Sequence, residues 1–97
     1  MKKLKFSTSL INDIISGKKK NTWRINDDKN LLSRDKLLLC DNEGKEFAKA
    51  VIISIKERIL GELNNEELTK IKELNEKYYH LQLNKNTKLK IIDFKLL

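Results

Sequence analysis

The 97 residues predict an α+β fold: a small, strongly curved mixed sheet or barrel with two packed α-helices. Three observations carry this reading. Short apolar segments alternate with strand period, two stretches between them repeat with helical period, and the resulting order is β-α-β-β-β-α-β. A chain of this length accommodates one domain, residues 1–97, with a modest core.

Each element has its own signal. Leu4 and Phe6 alternate with Lys3 and Lys5 in an opening strand, after which Ser7, Thr8 or Ser9 supplies a helix cap. Leu10, Ile11, Ile14 and Ile15 form one helical stripe, and Gly17 suits the left-handed residue that ends it. Thr22 to Ile25 reads as a strand, so Thr22 and Arg24 are expected on one face and Trp23 and Ile25 on the other. A core Trp23 would leave Thr22 and Arg24 lining a cleft, whereas an exposed Trp23 would offer a stacking platform. Asn26 to Arg34 is polar apart from Leu31 and Leu32 and reads as a loop able to act as a lid. Lys36 to Cys40 and Glu46 to Lys56 are paired as an antiparallel hairpin around Asp41-Asn42-Glu43-Gly44. Leu63, Leu68, Ile71, Leu74 and Tyr78 space like the inner face of a helix from Asn65 to Tyr79. In the last strand, Leu89 to Leu96, Ile92, Phe94 and Leu96 share one face.

Composition narrows the function classes. Hydrophobic residues at 39% and charged residues at 36% leave enough apolar content to fold and too much periodicity for a disordered tail. No apolar run approaches the roughly 20 residues of a membrane span, and the Met1-Lys2-Lys3 start lacks a secretory signal, so a cytoplasmic protein without membrane attachment is expected. Cys40 alone makes no disulfide and no thiolate cluster, and reads as a small buried hydrophobe. His80 has no metal-spaced partner and reads as a helix-end residue; no metal and no cofactor is expected. The formal charge is +7, but Glu57 to Glu76 holds six acids against Arg58, Lys70 and Lys72. The rest of the chain therefore concentrates the positive charge, as expected where one surface meets phosphates.

The most informative stretch is Gly17-Lys18-Lys19-Lys20-Asn21-Thr22-Trp23-Arg24, which puts three cations, a hydroxyl and an indole at a helix-to-strand junction. Lysines there suit phosphates, or simply complement a helix end. Arg24 can equally bridge to Asp27 or Asp28 on the surface.

Gly17-x-Lys19-x-x-Thr22-x-Arg24, the polar loop, the Asp35-led strand, the turn at Gly44 and the closing Ile91-Ile92-Asp93-Phe94 together resemble the ASCH domains of the PUA-like superfamily. The resemblance implies a small PUA-like mixed β-barrel with two packed helices and a cleft for RNA or a modified nucleoside. One branch, the bacterial acetylcytidine amidohydrolases, removes an acetyl group with a Lys, a Thr and a Glu. By motif position Lys19 matches that lysine, Thr22 that threonine and Arg24 the arginine that follows; the Glu falls near Glu66 or Glu67, with Glu73 as a fallback. A threonine hydroxyl needs a base, and a lysine desolvated among other cations can serve, with a carboxylate to orient it. Arg34-Asp35 replaces the family's Gly-Asp, which implies a different turn and an added cation.

Three functions remain open at this level. An RNA- or nucleoside-binding domain would set Lys18, Lys19, Lys20, Arg24 and Arg34 on phosphates, with Thr22 and Trp23 meeting a base. An amidohydrolase would use Lys19, Thr22 and Glu67 on acetylcytidine. A protein-interaction adaptor would use the acidic helix.

Overall fold

The structure is a computed structural model and describes residues 1–27 and 29–97. Five strands form one sheet: β1 (Lys2–Lys5), β2 (Asn21–Ile25), β3 (Lys36–Cys40), β4 (Glu46–Ile59) and β5 (Lys88–Leu96). Helix α1 (Ile11–Ile15) lies between β1 and β2 in sequence, and α2 (Asn65–Leu74) between β4 and β5. The order across the sheet is β1-β3-β4-β5-β2, with β1 parallel to β3 and β3 antiparallel to β4. Strand–helix order and the hairpin thus agree with the periodicity, and the α+β class holds.

The chain divides into two interleaved compact units. The first comprises residues 1–22, 29–55 and 92–97; the second comprises 23–28 and 56–91. The core of the first joins Leu4, Phe6, Ile14, Leu31, Leu37, Leu39, Ala50, Ile52, Ile92 and Phe94. Phe6 sits edge-on to Phe47, with ring centroids 6.4 Å apart, and tilted to Phe94 at 6.2 Å. Cys40 is buried there as the small hydrophobe expected. The second unit has its own centre of Ile25, Leu60, Ile71 and Leu89, flanked by Trp23, Leu68, Leu74 and Tyr79.

Several expectations are corrected in detail. Of the α1 stripe only Ile14 is buried, while Ile15 is 54% exposed. A 3₁₀ turn at Thr8–Leu10 takes up the approach, and Leu10 packs on the same core as Ile14 while Ile11 is only half-buried. β4 runs on to Ile59, three residues beyond the expected end. The second helix keeps α geometry only to Leu74 and continues as a π turn, Asn75–Tyr79. That turn inserts one residue into the helical count, so Tyr79 packs inward and Tyr78, expected in the core, is 44% exposed.

The loop read as a lid is tied down over its described part within the first unit. Lys2 Nζ donates to Asn30 O and, at 2.8 Å, to Asp35 Oδ2, while Lys29 Nζ donates to Lys3 O at 2.7 Å. Leu31 is buried beneath. Arg34 has φ 74°, the left-handed conformation that ordinarily favours glycine. Its N–H donates to Ile52 O at 2.8 Å, a backbone bond that holds the conformation despite the Cβ.

Candidate functional site

The lysine segment begins where α1 cannot continue. Gly17 N–H donates to Ile14 O at 3.1 Å with φ 83°, and nothing lies within 4 Å of where its Cβ would be. The residue is therefore needed for its backbone conformation, as expected of a left-handed helix end, rather than for space. Lys19 N–H then reaches back to Asp13 O at 2.9 Å, folding the segment across the helix end. Lys20 O accepts from Phe94 N–H at 3.0 Å, which docks the segment onto β5 as β2 starts. Lys18 and Lys20 are left exposed, and Lys19 is half-buried between them. Exposed Arg34 belongs to the same unit.

The strict two-face alternation expected of the strand is not what β2 shows. Thr22 and Ile25 are both buried, at 6% and 2% exposure, while Trp23 and Arg24 are half-buried. Thr22 belongs to the first unit and Trp23, Arg24 and Ile25 to the second, where Ile25 is part of that unit's own core. Trp23 is neither fully core nor an open platform: it packs against the second cluster, and Lys70 Nζ lies 5.1 Å from the ring centroid. The Arg24 alternative at Asp28 lies outside the described residues.

Glu67 occupies the third position of α2 and is engaged at both ends. Its N–H donates to Asn64 Oδ1 at 2.8 Å and its Oε1 accepts from Asn64 N–H at 3.1 Å, a reciprocal capping box. Its Oε2 faces Arg58 Nη1 at 3.4 Å. Glu66 and Glu73 are exposed on the helix surface. Of the residues named from sequence, Lys18, Lys19, Lys20, Thr22 and Arg34 thus fall in the first unit, and Trp23, Arg24, Glu66, Glu67 and Glu73 in the second.

Two further features had weak sequence signals. Lys70 over Trp23 joins positions 47 apart in sequence, which no local pattern announces. A pocket of about 360 Å³ in the second unit is lined by Asn26, Asp27, Glu57, Lys88 and Lys90 around buried Leu89.

No protein-family model matches the chain, and no curated protein does. Solved structures do match, and they define the class: the chain has the fold of an ASCH domain. It is similar to an ASCH domain from Lactobacillus crispatus JV V101, with a TM-score of 0.67 at 11% identity over 91% of this chain and 70% of that one. Protein EF3133 from Enterococcus faecalis V583, assigned to DUF984, gives 0.63 at 15% identity over 92% and 70%. The hypothetical protein PH0355 gives 0.69 at 18% identity over the whole of both chains.

Proposed function

We propose that the chain is an RNA- or nucleoside-binding domain that meets its ligand's phosphates through Lys18, Lys19 and Lys20. The observation that carries this is the geometry of that segment. A left-handed Gly17 ends α1, a backbone bond from Lys19 folds the chain back, and the side chains of Lys18 and Lys20 remain in solvent. Two exposed cations beside the start of a strand are suited to point-charge contacts with phosphate oxygens. The ASCH-domain fold of the structural neighbours supports the same reading.

Recognition is favoured over turnover by the state of Glu67, whose carboxylate oxygens serve the α2 cap and Arg58. A catalytic carboxylate would have to leave both. The test is binding of labelled single-stranded RNA across a salt series, with Lys18, Lys19 and Lys20 reversed to Glu. Affinity should fall steeply with salt, and the reversal should abolish most of it; unchanged binding by the reversed variant would remove the reading. Chromatographic turnover of acetylcytidine, with Lys19→Ala and Thr22→Ala beside the wild type, decides the amidohydrolase alternative. Cytidine that appears with the wild type and vanishes in both variants would establish catalysis at this segment.

A further inference from the structure

The outward face of the first unit's sheet carries a lysine array that the Gly17–Arg24 segment does not include. In the register of β1, β3 and β4, Lys3 stands opposite Leu38 and Leu38 opposite Lys49, while Lys36 stands opposite Val51. Leu97 N–H donates to Lys49 O at 2.9 Å and Ser54 Oγ to Asp93 Oδ2 at 2.7 Å, so β5 runs antiparallel to β4 with Lys95 beside the Val51–Ile52 stretch. The intervening residues Leu4, Leu37, Ala50, Ile52 and Phe94 are buried, which turns Lys3, Lys36, Lys49 and Lys95 to the opposite, solvent side. All four lysines are exposed, and Leu38 and Val51 between them are half-buried. The carboxylate of Asp93 shares this face, held by Ser54.

We propose that this face is a sequence-independent track for a single-stranded nucleic-acid backbone, separate from the Lys18–Lys20 segment and not dependent on it. Strands about 4.8 Å apart, with successive same-face residues roughly 6.7 Å apart along each, set neighbouring lysine Cα positions of the array roughly 8 to 10 Å from one another. Charge complementarity calls for a polyanion, and the side-chain chemistry selects among polyanions. Protein interfaces concentrate aromatic residues and Arg and are depleted in Lys, the reverse of this face. Membrane surfaces bind faces with several large apolar side chains to insert, whereas this face offers half-buried Leu38 and Val51 and a single exposed isoleucine, Ile53, among its lysines. Phosphates need point charges and nothing else. The array holds no aromatic side chain to stack a base, so it reads backbone charge and not sequence.

The experiment is anisotropy of labelled oligouridine and oligoadenosine between about 50 and about 200 mM salt. Wild type is compared with Lys3→Gln/Lys36→Gln/Lys49→Gln/Lys95→Gln, with the pair Lys36→Gln/Lys49→Gln, and with a quadruple Lys→Arg variant. The quadruple Gln variant should lose affinity for both oligomers equally, and its log–log salt slope should shrink by roughly 3, at about 0.7 per lost contact. The pair should lose about half of that, so that the result does not hang on the quadruple variant's folding, and the Arg variant should bind as wild type. Wild-type slope and affinity in the Gln variants would overturn the track. A loss confined to one oligomer would overturn its sequence independence, and binding to phosphatidylserine vesicles without binding to oligomers would overturn its occupant. The Lys18–Lys20 reversal separates this from the function proposed above. Loss in the Gln variants with none in the reversal leaves the track standing alone, and the opposite pattern removes the track alone.

Discussion

At the residue scale the clearest case is Arg34, an arginine in a glycine's conformation at φ 74°. The left-handed region costs a residue with a Cβ on the order of 1 kcal/mol, more for a β-branched one. Arg34→Gly is therefore expected to leave stability unchanged or raised, and Arg34→Val to lower it by about 1 to 2 kcal/mol in urea unfolding. Next to it, the carboxyl of Asp35 is held below the ordinary aspartate value of 3.8, first by the hydrogen bond from Lys2 and then by that from Leu32 N–H. A folded-state value below the unfolded one means that the carboxylate's contribution is complete above the unfolded value and is lost as pH falls through the folded one. Thermal unfolding from neutral pH down through pH 4 and below should show wild type losing its advantage over Asp35→Asn, with the two curves converging at the acid end.

At the element scale, two signals set α2, one local and one not. The capping box of Asn64 and Glu67 is local, Asn followed three residues on by Glu, and its bonds are 2.8 and 3.1 Å long. Asn64→Ala should cost about 1 kcal/mol, read as a lower urea midpoint with an unchanged slope. The π turn at Asn75–Tyr79 had no such announcement. Asn75 stabilises it by bonding both backbone groups of Leu81 at 2.9 Å, and exposed His80 closes it in the left-handed conformation, its N–H 2.7 Å from Asn75 O. His80 is thus the helix-end residue expected from the sequence. Tyr79→Ala should then cost about 2 kcal/mol or more, against less than about 0.5 for Tyr78→Ala. A strictly α-helical count through Tyr78 would give the reverse order, so the pair of variants tests the turn directly.

At the scale of the whole molecule, the surplus of positive charge acts twice. A net charge of +7 repels itself in the compact state, while the same lysines attract phosphate. Added salt is expected to raise the unfolding temperature and to weaken RNA binding, two opposite responses measurable on one sample by thermal scanning and anisotropy. The Lys2–Asp35 and Arg58–Glu67 pairs oppose the first effect only slightly, since both are partly exposed and screened by solvent. Among the described residues no helix is long and apolar enough to cross a membrane.

The strands, the hairpin turn at Gly44, the helix end at Gly17 and the cap at Asn64 were all determined by the sequence itself, because each rests on side chains within a few positions of one another. Periodicity also separated inward from outward residues in β1 and β5, since alternation is a property of the extended backbone. What only the tertiary structure decided were relations between distant positions. These include the strand order that brings β1 beside β3, the assignment of Thr22 and Trp23 to different units, Lys70 over the indole, and the capture of Glu67 by Arg58. They depend on which strands become neighbours, and pairing is fixed by packing summed over both clusters rather than by any local pattern. The lysine array across β1, β3, β4 and β5 is of the same kind: four unremarkable surface residues in the sequence, and one face only once the register is known.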